Sequence, residues 1–176
     1  MPNMTPDQAT FLLHSILLPA IKNETRTTKK LLEAVPADKV SYQPDACAKT
    51  ANELLRHIAS ADNFFLEAPI NGAFNPGGVK IPDSATTPAE VAAWYEESVN
   101  KNLDALGKLS GEQLIKIIDF RGRFQMEAVL FLQFGMVHAI HHRGQLSTYL
   151  RPMGGKIPAI YGESYDSAAA KKAAQA

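Results

Sequence analysis

Two of the five histidines in this chain of 176 residues, His138 and His142, stand four apart in the apolar stretch F-L-Q-F-G-M-V-H-A-I-H-H-R-G-Q-L-S-T-Y-L, residues 131–150. Residues four apart on a helix stack on one face, so the two imidazoles can reach a common point. A third, His57, sits in another apolar helical stretch, L-L-R-H-I-A-S-A-D. Three neutral imidazoles converging from two helices make an open metal site, with a coordination position left for water or a substrate. Three nitrogen ligands suit Zn²⁺ or Ni²⁺, and affinity order alone does not choose between them. A divalent ion held by neutral ligands keeps its charge and makes a water or a thiol more acidic near neutral pH. The competing reading is three core histidines, each hydrogen-bonded to a neighbour. An H-x-x-x-H pair also arises by accident, but burying three imidazoles without partners is costly, so the three reinforce one another.

The elements that must position these rings announce their own beginnings. Thr5-Pro6-Asp7-Gln8 has a capping Thr, a Pro at the first helical position and a Gln three residues after the cap. Thr50-Ala51-Asn52-Glu53 and Thr87-Pro88-Ala89-Glu90 repeat the logic with Glu. Helical periodicity follows each, predicting helices over 6–34, 51–68, 88–107 and 126–150. Pro19 falls inside the first and should kink it. The Gly- and Pro-rich stretch N-G-A-F-N-P-G-G-V-K-I-P-D-S reads as a loop. Residues 115–124, I-K-I-I-D-F-R-G-R-F, read as extended, forming a short hairpin at most. Four amphipathic helices and little strand predict an all-α four-helix bundle whose site is built from inward-facing side chains. The chain divides into that bundle over 1–166 and a low-complexity tail over 167–176, frayed or loosely helical.

At about 100° per residue, Ala128, Phe131, Gly135, Leu146 and Tyr149 share one arc of the last helix. His142 falls near its centre and His138 inside its edge, whereas His141 drifts to the polar border. In the second helix Leu54, Ile58, Ala61 and Phe65 define the buried arc, with His57 at its edge. Side chains one turn from a ligand are candidates for pocket lining: Ala61 and Phe64 beside His57, and Phe134, Gln145 and Tyr149 beside the pair. His14 on the first helix is placed on the opposite wall, and Tyr161 in the P-A-I-Y-G tail at the opening. Asp62 reads as a structural ion pair or hydrogen bond, and Trp94 as core or interface. Arg143 either orients a ligand or ties its helix to neighbours.

Other chemistries find no support. The chain has no Gly-rich phosphate loop, nucleophile elbow, paired carboxylates or H-E-x-x-H. Its single cysteine, Cys47, allows no internal disulfide or Cys-based zinc site, and no His or basic residue adjoins it to lower its pKa. Lys plus Arg number 18, as do Asp plus Glu, so there is no electrostatic footprint for nucleic acid or an anionic membrane. Apolar runs are too short to span a bilayer and the N-terminus lacks signal-peptide regions, so a cytoplasmic protein is expected. Exposed apolar area on the third helix or on 115–124 would favour a homodimer.

Three segments together resemble the DinB-like (DinB/YfiT) family of metalloenzymes over most of the chain. They are Y-Q-P-D…T-A-N-E-L-L-R-H-I-A-S-A-D-N-F-F, H-A-I-H-H-R-G-Q-L-S-T-Y-L-R-P-M-G and the P-A-I-Y-G tail. By position, the resemblance implies that His57, His138 and His142 are the family's metal triad. It also implies helices running up-down-down-up, with 71–87 as a long crossover between the second and third. Some relatives are S-transferases or isomerases using low-molecular-weight thiols, so a small-molecule substrate, including a thiol, is an expectation from the resemblance. The function expected is therefore a metal-dependent transferase, thiol-dependent or not, or a hydrolase acting on a small molecule. The alternative is a non-catalytic metal-binding stress or structural protein, whose coordination would be closed.

Overall fold

The structure, a computed structural model, describes residues 4–175. The first helical region is built in three pieces. Helix α1, Pro6–Phe11, starts on Thr5 with the expected capping box to Gln8. A π-helical stretch, Leu12–Leu17, leads into α2, Leu18–Glu33, with Pro19 in its first turn. Proline removes one backbone donor and crowds the preceding turn, so the irregularity expected at Pro19 takes the form of a widened π turn. Helix α3, Ala51–Asn71, and helix α4, Pro88–Leu106, begin on the capping boxes of Thr50 with Glu53 and Thr87 with Glu90. α3 runs three residues past the expected end, carrying Pro69 inside it, and stops at Gly72, whose left-handed φ of 67° closes the helix.

A short helix α5, Gly111–Leu114, precedes an antiparallel hairpin of β1, Ile117–Asp119, and β2, Gln125–Glu127, with Ile118 opposite Met126. The hairpin takes the residues with which the last long helix was expected to begin, so α6 spans Ala128–Leu150. Helix α7, Tyr165–Ala173, has its own cap at Ser164. It is tied back where Asp166 accepts from the Ile157 backbone N–H at 2.9 Å and pairs with Arg151 at 3.1 Å. No helix among the described residues is long and apolar enough to cross a membrane.

Helix directions follow from which residues meet. Asp62 meets Tyr95 and Asn63 meets Asn102, while Arg56 bonds the Ala85 carbonyl, so α3 and α4 run parallel. His57 lies beside His142, and Tyr149 bonds the Lys49 carbonyl, so α3 and α6 are antiparallel. Lys29 pairs with Glu96 at 2.8 Å, while the Gly107 end of α4 lies by Leu18, so α2 and α4 are antiparallel. Met4 bonds Glu127 and Arg143 reaches Glu24, so the first helical region and α6 are parallel. The order is up-down-down-up, and residues between Asn71 and Pro88 carry the crossover that a parallel α3–α4 pair requires.

Leu13, Leu32, Leu55, Val99, Leu132 and Leu146 are among the fully buried side chains that fill the bundle. A second apolar nucleus forms where the hairpin and crossover meet α3 and α6. It joins Phe64, Phe65, Phe74, Phe120, Phe124, Phe131 and Phe134, every neighbouring pair of rings 4.8–6.1 Å apart. The joint between α3 and α6 is tight: a Cβ on Gly135 would lie 2.5 Å from Phe65 Cβ and 2.9 Å from its Cγ. Gly135→Ala should therefore cost about 1–3 kcal/mol through forced side-chain and backbone shifts, read as a lower urea midpoint. An unchanged midpoint would mean that the helices separate freely there.

Candidate metal centre

His57 leaves α3, and His138 and His142 leave α6, on facing sides of two antiparallel helices. One ligand nitrogen from each lies within 4.8 Å of the others. His57 Nε2 and His142 Nε2 are 3.2 Å apart. Two nitrogens bound to one ion at about 2.0–2.1 Å stand about 3.3 Å apart at a tetrahedral angle, so this spacing suits shared coordination. The donor set fits as well: each ring is half-buried and held to its neutral form. Burial is the main cause for all three, followed for His57 by the charges of His142 and Lys49. His138 is pushed down to about 4 by burial, then by its histidine neighbours. For His142, burial outweighs the opposing hydrogen bond to Gln145, and His141 and Lys49 lower it further. Neutral imidazole is the form that offers a lone pair.

The second ring nitrogen of His142, Nδ1, lies 3.0 Å from Gln145 Oε1. With that nitrogen donating, Nε2 presents its lone pair to the other two rings, the usual way an outer group orients a metal-binding histidine. His138 Nδ1 is sealed from solvent and has no hydrogen-bond partner among the described residues. A cluster of three neutral rings with an orphaned nitrogen is what a cation would satisfy. His141, one residue from His142, is exposed and outside the cluster.

A cleft of about 330 Å³ opens over His57 and His138. Ala61 and Phe64 line it, in the places expected one turn from His57 and beyond. Phe65 lines it too, its ring centroid 5.5 Å from that of His138. The far wall comes from elements that sequence reasoning left out of the site: Gly78 and Val79 of the crossover, and Phe120 and Arg121 of the hairpin. Nothing in a linear reading says that two loops 40 residues apart meet over one helix. The one available signal was the phenylalanine content of all three segments.

Five expected pocket residues stand outside the cleft. His14 is exposed on the π-helical stretch, because Leu13 and Leu17 take the inward positions of that turn. Tyr149 shares the face of His142 but lies two turns further on, where the start of α3 closes the groove. It is 4% exposed, donates to the Lys49 carbonyl at 3.2 Å and meets Tyr42 edge-on, so it belongs to the core. Tyr161 does fold back, but onto Arg143 and Glu24, donating to the Glu24 carboxylate at 2.8 Å, away from the cleft. Phe134 packs on Phe65, Phe120 and Phe124 and borders an outer groove with Leu130 and Val137. Gln145 acts on His142 and does not line the cleft.

Of the remaining candidates, Arg143 ties helices together. It is 1% exposed and binds the Glu24 carboxylate, the Glu24 carbonyl at 3.1 Å and Thr28 at 3.2 Å. Trp94 packs on the core periphery, and Cys47 is a free, exposed thiol. Asp62 accepts the Tyr95 hydroxyl at 2.7 Å. Its other oxygen, Oδ1, is buried with no partner among the described residues, and the residue borders a water-sized cavity of about 20 Å³. Burial pushes the Asp62 carboxyl up to about 7 from 3.8, against the hydrogen bond from Tyr95 and the charge of Arg143. The native state thus holds a proton that the unfolded chain releases. Asp62's contribution is whole below about pH 4, is lost as pH rises towards 7, and levels off above. Asp62→Asn should therefore stabilise the protein at pH 8 relative to pH 4 by about 2–4 kcal/mol. Urea titrations at both pH values check this; a mutant with the wild-type pH slope would show that Asp62 is ionised in the fold.

The model of the DinB family matches residues 7–174, and the chain belongs to that family. It is 33% identical over 129 residues to the uncharacterized protein YjoA of Bacillus subtilis strain 168, covering 72% of this chain and 82% of that one. The fold superposes on the crystal structure of that DinB-like protein from B. subtilis with a TM-score of 0.69 at 28% identity, covering 84% and 99% of the two chains. A DinB-like protein from Bacillus cereus ATCC 10987 gives a TM-score of 0.67 at 25% identity, covering 82% and 95%.

Proposed function

We propose that this protein is a metal-dependent enzyme, a transferase (thiol-dependent in one form of the reading) or a hydrolase, acting on a small molecule. The observation that carries the reading is the placement of three histidine nitrogens within 4.8 Å of one another, with two of the three residues, His57 and His138, lining an open cleft. His57, His138 and His142 would hold Zn²⁺ or Ni²⁺. Such an ion supplies Lewis acidity, making a water or a small thiol more acidic near neutral pH. The protein's own groups do the rest. Gln145 fixes the tautomer and tilt of His142, and Phe65 packs against the His138 ring. Phe64, Phe65, Phe120 and Val79 form an apolar wall that excludes bulk water from a bound molecule. The cytoplasmic location and homodimer expected from the sequence belong to the same reading, checked by cell fractionation and sedimentation.

The test is spectroscopic. Protein loaded with Co²⁺ is titrated with 2-mercaptoethanol or azide, and new ligand-field bands are expected as the added ligand takes an open coordination position. An unchanged spectrum at saturating ligand means a closed site, and the non-catalytic metal-binding protein then replaces the enzyme.

A further inference from the structure

The hairpin turn contains a residue that the turn itself does not favour. Phe120 accepts from the Arg123 N–H at 3.0 Å, and the two central residues, Arg121 and Gly122, are both left-handed, with φ of 56° and 71°. This is the geometry of a type I′ turn, where Asn-Gly or Asp-Gly is preferred. Arg121 is the one non-glycine residue with positive φ among the described residues. Among the described residues its side chain makes no hydrogen bond or ion pair, and its guanidinium sits 5.1 Å from the centre of the Phe64 ring.

That position is inside the cleft. Among the described residues, Arg121 is the only Lys, Arg, Asp or Glu that lines it, beside His57, His138, phenylalanine rings, Val79 and small residues. An unpaired guanidinium on an apolar wall attracts an anion and can bind a carboxylate through two parallel hydrogen bonds. Phe64, beneath Arg121, is seven residues from His57 on one helix. At 1.5 Å per residue, the backbone of Phe64 lies about 10 Å along α3 from that of His57, and the guanidinium stands over Phe64. We infer that Arg121 is the specificity-determining residue of the cleft. It selects small molecules with an apolar body and a carboxylate or similar anion about 10 Å from the reacting atom. The inference rests on the reading that the histidine cluster is the reacting end.

Two probes of equal length and equal thiol test it: 8-mercaptooctanoate and its neutral counterpart 8-mercaptooctanol. Binding is measured by calorimetry on metal-free protein and by the thiol-induced bands of Co²⁺-loaded protein. The acid should bind at least tenfold more tightly than the alcohol by both readouts. Arg121→Asn should erase that difference and leave the alcohol unchanged, whereas Arg121→Lys should keep most of it. Asn suits the turn better than Arg, so Arg121→Asn should melt no lower than wild type and its loss of acid binding is not misfolding. Equal affinity for the two probes, or an undiminished preference in Arg121→Asn, overturns the inference even when both thiols change the Co²⁺ spectrum and so support the metal centre. An Arg121-dependent preference by calorimetry with no spectral change supports the anion subsite and overturns the metal reading.

Discussion

His138→Ala should lose divalent metal almost completely, while His141→Ala retains it. His138 supplies one of the three nitrogens in the cluster, whereas His141 is turned to solvent one residue before His142. Gln145→Ala should fall between the two. It leaves three ligands in place but frees His142 to rotate, and loss of an orienting outer group typically costs about 10–100-fold in affinity. Removing a ligand should cost more than that, and His57→Ala and His142→Ala should behave as His138→Ala does. Because the ion binds the folded state, its loss is also a loss of stability. Metal at 1,000 times its Kd adds about 4 kcal/mol, which His138→Ala should forfeit while keeping the melting temperature of chelated wild type. The bundle core does not pass through the site, so chelated protein should still be folded. Elemental analysis after purification without added metal, paired with thermal melts, checks each point. Equal metal content in His138→Ala and wild type would remove His138 from the ligand set.

Arg143→Ala should be the most destabilising single change in the polar part of the protein, by about 3–5 kcal/mol. Arg143 is fully buried and holds the Glu24 side chain, the Glu24 carbonyl, Thr28 and the Tyr161 hydroxyl. Removing it leaves a largely buried carboxylate and a carbonyl unpaired, and frees the segment before α7. Glu24→Gln combined with Arg143→Met should be milder than the sum of the single changes, by about 0.5–3 kcal/mol, because the stranded charge is gone. Urea unfolding of the four proteins gives that coupling directly. Strict additivity, or a loss below about 1 kcal/mol, a value typical of exposed pairs, would mean that the pair is not held in the fold.

Much of this protein is local and so was legible in its residues. The capping boxes at Thr5, Thr50 and Thr87 involve groups three residues apart, and each start was read to the residue. The i, i+4 spacing of His138 and His142 and the helical phase of His57 likewise depend only on the geometry of one helix. The direction of the helices was not legible from phase. It came from the family resemblance, and in the structure it is decided by the pairs that meet across the bundle. Phase also could not say where a groove ends: Tyr149 lies on the face of His142, yet the start of α3 covers it. Nor could phase show that the inward side of Arg143 is filled by Glu24, or that Tyr161 would fold onto that pair. The hairpin and crossover made the largest difference. Their residues are distant in sequence from both histidine helices, and only the packing of phenylalanine rings across four segments brings Arg121 over Phe64 and closes a cleft above His57 and His138. Identity and spacing determined which rings could share an ion; long-range packing decided what molecule could approach it, because no local interaction carries that information.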